Sequence, residues 1–369
     1  MGKSMDFLEL ANKGIIPIKP YVPGKSVKQA LQEIKLDEVY KMASNENPRG
    51  ASRKAREKYL TLADSLHIYP EIHNSELLGI FAEKLGCSPD NITLSNGGDG
   101  IIYNMGMAVL NPGDEAIIPE VTFAVYEIIT RIMHAVPVFS PMKDNRIDLD
   151  DIYSRITPKT KIIYICNPNN PTGLCLEPEE LLACLRKVPE NIFVFLDEAY
   201  IDFTDSKKNI NSVKLITGGM RNLFVLRTFS KVYGLAGVRI GYGVGDPEII
   251  SLISRIKPPF DLSIIAENLA AEALLDEDFY NETVQDTARE KAFYYEELDR
   301  MGLRYFESHT NYILIDVGRE CRSVTDRLLE HGIIVRPAAG YGFPTCIRVT
   351  IGRHRENVLF FEALKKILL

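Results

Sequence analysis

Near-continuous apolar runs alternate with helical patterns between about residues 74 and 257 of the 369-residue chain. The clearest runs are "KIIYIC" (161–166) and "IFVFLD" (192–197), and the helical segment "EPEELLACLRKV" lies between them. A strand that is apolar on both faces must be covered on both faces, as in a parallel sheet with helical crossover connections. The sequence therefore predicts an α/β protein with a mostly parallel sheet covered by helices.

Two prolines in "KPPF" (257–260) interrupt this alternation, because proline breaks a helix. Long helical patterns follow over about 262–301, and then "TNYILIDV", "GIIVRP" and "CIRVTIG" are predicted strands before a last helix. We predict a large α/β domain over residues 46–258. The N-terminal arm (1–45) and residues 259–369 are predicted to form a smaller α+β domain.

Composition argues against several functional classes. The chain is 46% hydrophobic and 25% charged, with a net charge of −7 and no basic run, which argues against a nucleic-acid partner. No uncharged apolar run approaches 18 residues, so no membrane span is expected. The six cysteines form no C-x-x-C pair, and the first residues lack the apolar core of a secretory signal. We expect a cytoplasmic protein without a metal site.

Polar stretches follow the ends of predicted strands, where open α/β sheets bind ligands. "SNGGDG" (95–100) opens a helix whose free N–H groups can bind a phosphate, although a plain tight turn is also consistent with it. "NPNNPTG" (167–173) places the Asn170 amide at a rigid turn. "FVFLDEAYIDF" (193–203) ends a buried run with Asp197, which either caps a helix or meets a cation, because an isolated buried charge is costly.

The stretch "RTFSKVYGLAGVRIGY" (227–242) places Lys231 in apolar surroundings, between Ser230 and Arg239. Lysine is almost never fully buried without a partner, although its stem can pack on apolar surface while its amine reaches water. A phosphate cradle, an amide, an acid followed by Tyr200, and a lysine with an arginine together suit pyridoxal 5′-phosphate (PLP). This cofactor needs a lysine for its Schiff base, an acid for its pyridinium nitrogen and donors for its phosphate.

With these motifs in this order, the chain resembles, over essentially its whole length, the fold-type-I PLP-dependent aminotransferases, and in particular the histidinol-phosphate aminotransferase family. The resemblance implies that Lys231 binds PLP as a Schiff base and moves the proton at the substrate carbon. It implies that Asp197 pairs with the ring nitrogen, and that Tyr200 and Asn170 hydrogen-bond the ring oxygen.

The resemblance also implies contacts to the rest of the cofactor. Phe123 stacks on the ring, and Tyr69 reaches the cofactor phosphate of the neighbouring subunit, which implies a homodimer with shared active sites. Members of the family usually carry a glutamate where this chain has Gly100, so an acid is absent from the first helical turn. The implied ligands of the cofactor phosphate within the same subunit are Gly98, Asp99, Thr228, Ser230 and Arg239.

The substrate-binding residues implied by the resemblance lie in both terminal parts of the chain. Arg348, in "CIRVTIG", binds a substrate carboxylate, and Arg336, in "GIIVRP", adds a second cation for an ester phosphate. Tyr21, Asn45 and Asn311 match further substrate-side positions. The implied reaction is a ping-pong amino transfer between L-histidinol phosphate and 2-oxoglutarate, which yields imidazole acetol phosphate and glutamate in histidine biosynthesis.

Other functions remain open at this point. An aromatic or broad-specificity aminotransferase and a threonine-phosphate decarboxylase share the scaffold, and the decarboxylase also grips a phosphate, so Arg336 does not exclude it. A non-catalytic binding or regulatory protein of the same fold is disfavoured by intact Lys231, Asp197, Tyr200 and Asn170. A nucleotide-dependent dehydrogenase is not expected, because "GYGVGDP" (241–247) lacks the final glycine and the βα unit of that fingerprint.

Overall fold

The computed structural model describes residues 7–20, 27–33 and 38–368. The strands in these ranges are β1 (Tyr40–Lys41), β2 (Ile92–Ser95), β3 (Glu115–Pro119), β4 (Val136–Ser140), β5 (Met142–Lys143), β6 (Arg146–Ile147), β7 (Thr160–Cys166), β8 (Phe193–Asp197), β9 (Leu223–Thr228), β10 (Gly241–Val244), β11 (Arg304–Tyr305), β12 (Tyr312–Asp316), β13 (Ile333–Ile334), β14 (Arg336–Pro337) and β15 (Cys346–Thr350). The α-helices are α1 (Phe7–Leu10), α2 (Val27–Glu33), α3 (Arg53–Thr61), α4 (Ser75–Leu85), α5 (Gly97–Val109), α6 (Val125–Ile132), α7 (Leu149–Ser154), α8 (Pro178–Lys187), α9 (Ser212–Thr217), α10 (Pro247–Ser254), α11 (Ile264–Leu274), α12 (Glu277–Arg300), α13 (Cys321–Glu330) and α14 (His354–Leu368).

A seven-stranded sheet with the order β2-β10-β9-β8-β7-β3-β4 forms the larger part of the molecule. Strand β10 is antiparallel to both of its neighbours, and every other pair in this sheet is parallel. The two apolar runs that define the sequence pattern are β7 and β8, which lie side by side and are almost entirely buried. The prediction of a mostly parallel sheet is therefore confirmed.

Helices pack on both faces of this sheet. Ile163 and Leu196 point into the core formed with α4, α8, α9 and α11, while Tyr164 and Phe195 point into the core formed with α5, α6 and α10. Successive side chains of a strand face opposite sides of a sheet, so both faces of β7 and β8 are apolar because both are covered.

The C-terminal part forms a second, four-stranded antiparallel sheet with the order β11-β12-β15-β14. Its core includes side chains from α12, α13 and α14, among them Leu298, Leu328 and Phe360. The short strand β1 pairs in parallel with β13 and joins the segment before residue 46 to this C-terminal part. The division of the chain at residues 46 and 258 stays a prediction.

Two general features complete the fold. No helix within the described ranges is long and apolar enough to cross a bilayer. The same part of the chain contains no group of three or more His, Cys, Asp or Glu residues placed to hold a metal ion.

The polar stretches meet at one edge of the large sheet. Cys166 at the end of β7 lies opposite Asp197 at the end of β8, and the next strand, β9, ends at Thr228. On the other side of β9, Gly241 of β10 pairs with both Thr228 and Ser95, the last residue of β2. The sheet therefore brings together the ends of segments that are far apart in the sequence.

Gly241 provides a test of this arrangement. A Cβ atom at Gly241 would lie 2.7 Å from the carbonyl carbon of Gly97 and 2.8 Å from the nitrogen of Gly98, and backbone atoms cannot move aside as a side chain can. We expect Gly241→Ala to lower the free energy of unfolding by about 1–3 kcal/mol, as overpacking does. Urea unfolding measures this change.

The matched control is Gly79→Ala, because Gly79 is exposed in α4 and a Cβ atom there would have no neighbouring atom within 4 Å. Replacing glycine by alanine inside a helix is expected to raise the free energy of unfolding by roughly 0.5–1 kcal/mol. Equal stability of Gly241→Ala and the natural protein would contradict the close approach of β10 to the start of α5.

Candidate active site

A cavity of about 350 Å³ lies between the edge of the large sheet and the C-terminal sheet. This volume is within the range of small-molecule sites, which is roughly 300–1,000 Å³. The residues predicted from the sequence that line the cavity are Asn45, Gly98, Asp99, Phe123, Asn170, Asp197, Tyr200, Thr228, Ser230, Lys231, Arg239, Arg336 and Arg348.

Three predicted residues are not among the lining residues. Asn311 is buried behind the cavity, where its side-chain amide donates to the backbone oxygen of Asn45 at 3.0 Å. Tyr69 is 76% exposed and stacks on Phe260 with 4.4 Å between ring centroids, away from the cavity of its own chain. Tyr21 lies outside the described residues.

Asp197 is a buried carboxyl group at the floor of the cavity. Its Oδ2 accepts a hydrogen bond from the Tyr126 hydroxyl, and its Oδ1 accepts one from the Ala199 N–H at 2.9 Å. No cation among the described residues forms an ion pair with it. Burial raises the pKa of Asp197 to about 6, and the bond from Tyr126 opposes this rise. The site thus contains a carboxylate whose cationic partner the described part of the chain does not supply.

Lys231 follows β9 and reaches the cavity from the neighbouring strand. Its Nζ is 3.5 Å from the backbone oxygen of Ser44 and 5.5 Å from the ring centroid of Tyr200. Burial, followed by the positive charge of Arg348, lowers the pKa of Lys231 to about 8. An amine with this pKa is partly neutral near neutral pH, and only a neutral amine can act as a nucleophile or a base.

A cradle for an anion lies beside Lys231. The helix α5 begins at Gly97, and the side chain of its N-cap residue, Asn96, caps none of the first N–H groups. The Ser230 hydroxyl accepts from Thr228 at 3.0 Å and lies 3.4 Å from a guanidinium nitrogen of Arg239. Uncapped N–H groups at a helix start, hydroxyls and a guanidinium are the donors that bind phosphate.

Gly100, in the first turn of α5, is matched to its surroundings. A Cβ atom there would lie 2.4 Å from Oγ of the buried Ser95. The Ser95 hydroxyl also accepts from the Asn104 side chain at 3.3 Å. A larger residue at position 100 would displace Ser95 and disturb this contact, so the small residue is explained by packing beneath the cradle.

Arg348 connects the two walls of the cavity. Its Nη1 donates to Oδ1 of Asn170 at 2.6 Å, and its Nη2 donates to the backbone oxygen of Ala43 at 3.0 Å. Nε of this buried guanidinium has no hydrogen-bond partner, and no carboxylate among the described residues pairs with Arg348. A buried arginine without a counter-ion is costly, which indicates a site for an anion.

Arg336 lies directly opposite Arg348, because β14 pairs with β15 in that register. Both side chains line the cavity. Like charges opposite one another on adjacent strands destabilise a sheet unless an anion lies close to both. This wall of the cavity therefore carries two guanidinium groups, which are suited to bind an anion.

A hydrogen-bonded pair closes the opposite side of the cavity. The Asn45 side-chain amide donates to the Tyr200 hydroxyl at 2.8 Å, and Thr350 holds the Asn45 backbone N–H at 2.9 Å. Burial raises the pKa of Tyr200 above its ordinary value, so its hydroxyl remains protonated and can donate.

The arrangement fits PLP in each of its charges. Asp197 lacks a cation, which a protonated ring nitrogen provides, and the cradle beside Ser230 lacks an anion, which a phosphate provides. The side chain of Lys231 lines the same cavity as Asp197 and Ser230. The residues present therefore suit this cofactor.

Comparison with known proteins agrees with the geometry. A family model described as aminotransferase class I and II matches residues 37–364. A histidinol-phosphate aminotransferase of Moorella thermoacetica is 38% identical, over 96% of this chain and 92% of that protein. Histidinol-phosphate aminotransferase 1 of Mannheimia succiniciproducens is 40% identical, over 99% of both chains.

A solved structure of histidinol-phosphate aminotransferase from Sinorhizobium meliloti, in complex with pyridoxal 5′-phosphate, superposes with a TM-score of 0.86. That structure is 26% identical in sequence and covers 96% of this chain and 98% of its own. The predicted fold-type-I architecture is confirmed by this likeness. The chain belongs to the class I and II aminotransferases and, within them, to the histidinol-phosphate aminotransferase family.

Several lining or supporting residues were not predicted from the sequence. Tyr126 holds Asp197 and stacks on Tyr164 with 4.8 Å between ring centroids. Its position three residues after Phe123, near a helix start, was an available signal. Glu46 and Tyr341 also line the cavity, and Glu46 is the charged residue in "ASNENP". Cys166 lies beside Asp197 and gave no signal beyond an apolar strand.

The raised pKa of Asp197 predicts a pH dependence of stability in the cofactor-free protein. A carboxyl group with a pKa of about 6 when folded and roughly 3.9 when unfolded contributes stability below pH 4 that is lost as pH rises through 6. Asp197→Asn removes this loss. We expect the variant to gain about 2–3 kcal/mol of unfolding free energy relative to the natural protein between pH 4 and pH 8.

Urea unfolding of both proteins, without cofactor, at several pH values measures this difference. The exposed Asp326, in α13, provides the control, because Asp326→Asn makes the same side-chain change outside the buried site. Parallel pH profiles for Asp197→Asn and the natural protein would show that Asp197 is not destabilised by burial.

Proposed function

We propose that the protein transfers the amino group of L-histidinol phosphate to 2-oxoglutarate with PLP as cofactor, as a step of histidine biosynthesis. The observation that carries this proposal is the pair of opposed arginines, Arg336 and Arg348, in the same cavity as Lys231 and Asp197. The names of the relatives, which extend over nearly the whole chain, support the same reaction.

PLP supplies an aldehyde that reacts with amines and a ring that withdraws electrons from the reacting carbon. Asp197 would hold the ring nitrogen, and Tyr200 and Asn170 would donate to the ring oxygen. Phe123 would cover the ring face. The phosphate would lie at the start of α5, with Gly98, Asp99, Thr228, Ser230 and Arg239 around it.

Lys231 would bind the cofactor covalently and then act as an acid and base. Because its pKa is lowered to about 8, its Nζ can accept a proton from the substrate carbon near neutral pH and return one later. The Ser44 backbone oxygen, 3.5 Å from Nζ, helps to orient the amine. Strand β9 precedes Lys231 and fixes the position of its nitrogen. This positioning, more than an effect on the basicity of the amine, is what the strand contributes.

The two arginines would bind the anionic group of either amino donor. An ester phosphate carries close to two negative charges and matches Arg336 and Arg348 together. Glutamate has a single α-carboxylate, which Arg348 binds through two parallel bonds. Asn45 orients the Tyr200 hydroxyl toward the cofactor, and Asn311 supports Asn45 from behind. One anion site thus serves both half-reactions of a ping-pong mechanism.

The alternatives on the same scaffold are not favoured. An aromatic aminotransferase binds carboxylates, for which Arg348 alone suffices. A threonine-phosphate decarboxylase also binds a phosphate, but relatives that are 36–38% identical over 95–99% of this chain are named histidinol-phosphate aminotransferases.

The function is tested by a donor panel with purified, PLP-loaded protein and 2-oxoglutarate as acceptor. We expect glutamate to form fastest with L-histidinol phosphate. Faster reaction with phenylalanine or tyrosine would support the aromatic aminotransferase alternative, and release of carbon dioxide from threonine phosphate would support the decarboxylase.

Arg336→Ala tests the phosphate contact. Loss of a charge-assisted hydrogen bond costs roughly 1.5–3 kcal/mol, so kcat/KM for histidinol phosphate should fall by about one to two powers of ten. The half-reaction with glutamate should fall much less, since Arg348 binds its α-carboxylate. Single-turnover reduction of the cofactor by each donor measures both. Histidinol lacks the phosphate. If Arg336→Ala lowered the single-turnover rate equally with histidinol phosphate and with histidinol, Arg336 would not bind the phosphate.

We further propose that the protein is a homodimer that shares its active sites. Large apolar side chains are exposed in one segment of the chain, and monomeric proteins rarely expose extended apolar patches. These side chains are Tyr59, Leu60, Leu66, Ile68, Tyr69 and Ile72. Tyr69 does not reach the cavity of its own chain, which is consistent with a contact to the cofactor phosphate of a partner.

Ile68→Glu should shift the dimer toward monomer in sedimentation velocity, because a charge replaces an apolar side chain that is 56% exposed in the single chain. Tyr153→Glu is the control, since Tyr153 is 45% exposed in α7, far along the chain from this segment. A natural protein that sediments as a monomer would contradict the proposal.

We also propose a cytoplasmic location. All six cysteines are free thiols, and five of them are buried. Free thiols are typical of proteins in a reducing compartment.

A further inference from the structure

The cavity has three carboxylates among its described lining residues, and only one of them has no assigned task. Asp197 accepts from Tyr126 at the floor, and Asp99 pairs with Arg239 at 3.4 Å beside the phosphate cradle. Glu46 is the third, and its side chain is 42% exposed. A carboxylate that lines the same cavity as Arg336 and Arg348 repels an anionic substrate, so its presence requires an explanation.

Glu46 is held on the same wall as the two arginines. Its Oε1 accepts from Nζ of Lys41 at 2.6 Å. Lys41 belongs to β1 and lies opposite Ile334 of β13, two residues before Arg336. The ion pair therefore ties Glu46 to the part of the C-terminal unit that carries the anion site, and it limits the rotamers of the Glu46 side chain.

The second oxygen of Glu46 can accept a hydrogen bond. Oε2 makes none within the described residues, and the side chain, which lines the cavity, is partly solvent-accessible. An acceptor fixed by a salt bridge and facing a cavity is suited to bind a donor on a ligand. The donor it would favour is an N–H group, and a cationic N–H most of all.

Histidinol phosphate carries such a group. Its reacting carbon, which must lie near Lys231, bears two arms, one with the ester phosphate and one with the imidazole ring. Arg336 and Arg348 take the phosphate arm. The imidazole arm ends in an N–H donor, and imidazole also gains a proton near neutral pH. Glu46 is the lining carboxylate left to accept from it.

We propose that Glu46 is a specificity-determining residue that accepts a hydrogen bond from the imidazole N–H of the amino donor. This inference rests on the proposed function and extends it. Hydrogen-bonding groups in a binding site discriminate strongly against analogues that leave them unpaired, so Glu46 selects an N-heteroaromatic donor over a phenyl ring of similar size.

A pair of donors isolates this contact. L-histidinol phosphate and L-phenylalaninol phosphate share the amine, the carbon backbone and the phosphate, and differ only in the ring. We expect Glu46→Gln to lower kcat/KM for histidinol phosphate by about tenfold or more while changing that for phenylalaninol phosphate by less than about threefold. The half-reaction with glutamate should not fall, because its side-chain carboxylate gains nothing from Glu46.

Glu46 also affects Lys231, since its negative charge raises the pKa of that amine. This second role is separated by measuring equilibrium binding of both donors in a Lys231→Ala background, which cannot turn over. If Glu46 contacts the imidazole, Glu46→Gln should raise the Kd of histidinol phosphate in this background by about tenfold, as measured by calorimetry. The Kd of phenylalaninol phosphate should not change. An effect transmitted through Lys231 would be absent in this background, so Glu46→Gln would leave the binding of both donors unchanged.

Glu38→Gln is the matched control, because Glu38 pairs with Arg355 outside the cavity and should leave every rate unchanged. Equal losses with both donors, or no loss with histidinol phosphate, would overturn the assignment of Glu46. Failure of the natural protein to react with histidinol phosphate at all would instead refute the proposed function.

Discussion

The active site depends on a carboxylate that the fold buries without a cation. Asp197 ends a strand in the middle of the large sheet, whose two faces are covered by helices, and its side chain is buried. Two hydrogen bonds stabilise its charge, and burial keeps its pKa near 6. Burying the Asp197 charge without a cation is costly. A protonated ring nitrogen would offset that cost by forming a strong charge-assisted hydrogen bond with the carboxylate. Binding of the cofactor and stability of the sheet edge are thereby linked.

The remaining charges are divided between the two sheets. The large sheet supplies Asp197, Lys231 and the anion cradle, whereas the antiparallel C-terminal sheet supplies Arg336 and Arg348. The segment around Asn45 connects them, because it bonds to Tyr200 on one side and to Thr350 on the other. In the proposed mechanism, cofactor chemistry and substrate recognition therefore reside in different structural units that meet at a single cavity.

Much of this could be predicted from the sequence, because strands buried on both faces and strand-end motifs are local signals. Asp197, Lys231 and Asn170 each follow an apolar run closely, so their placement at one edge followed from the sheet alone. Tyr126 was missed because its role depends on a contact with a residue 71 positions away, and Glu46 because its role depends on an ion pair with the short strand β1. No periodic pattern encodes such contacts. Asn311 matched a family motif but lies one layer behind the cavity.

The central claim is that the cavity holds PLP on Lys231, and reductive labelling tests it most directly. Protein incubated with PLP is treated with borohydride, digested, and mapped by mass spectrometry. The charge layout predicts a phosphopyridoxyl group on the peptide that contains Lys231, and weaker labelling in Asp197→Ala at limiting PLP. Labelling that is spread over exposed lysines, or that is unaffected by loss of Asp197, would contradict the assignment of this cavity as the cofactor site.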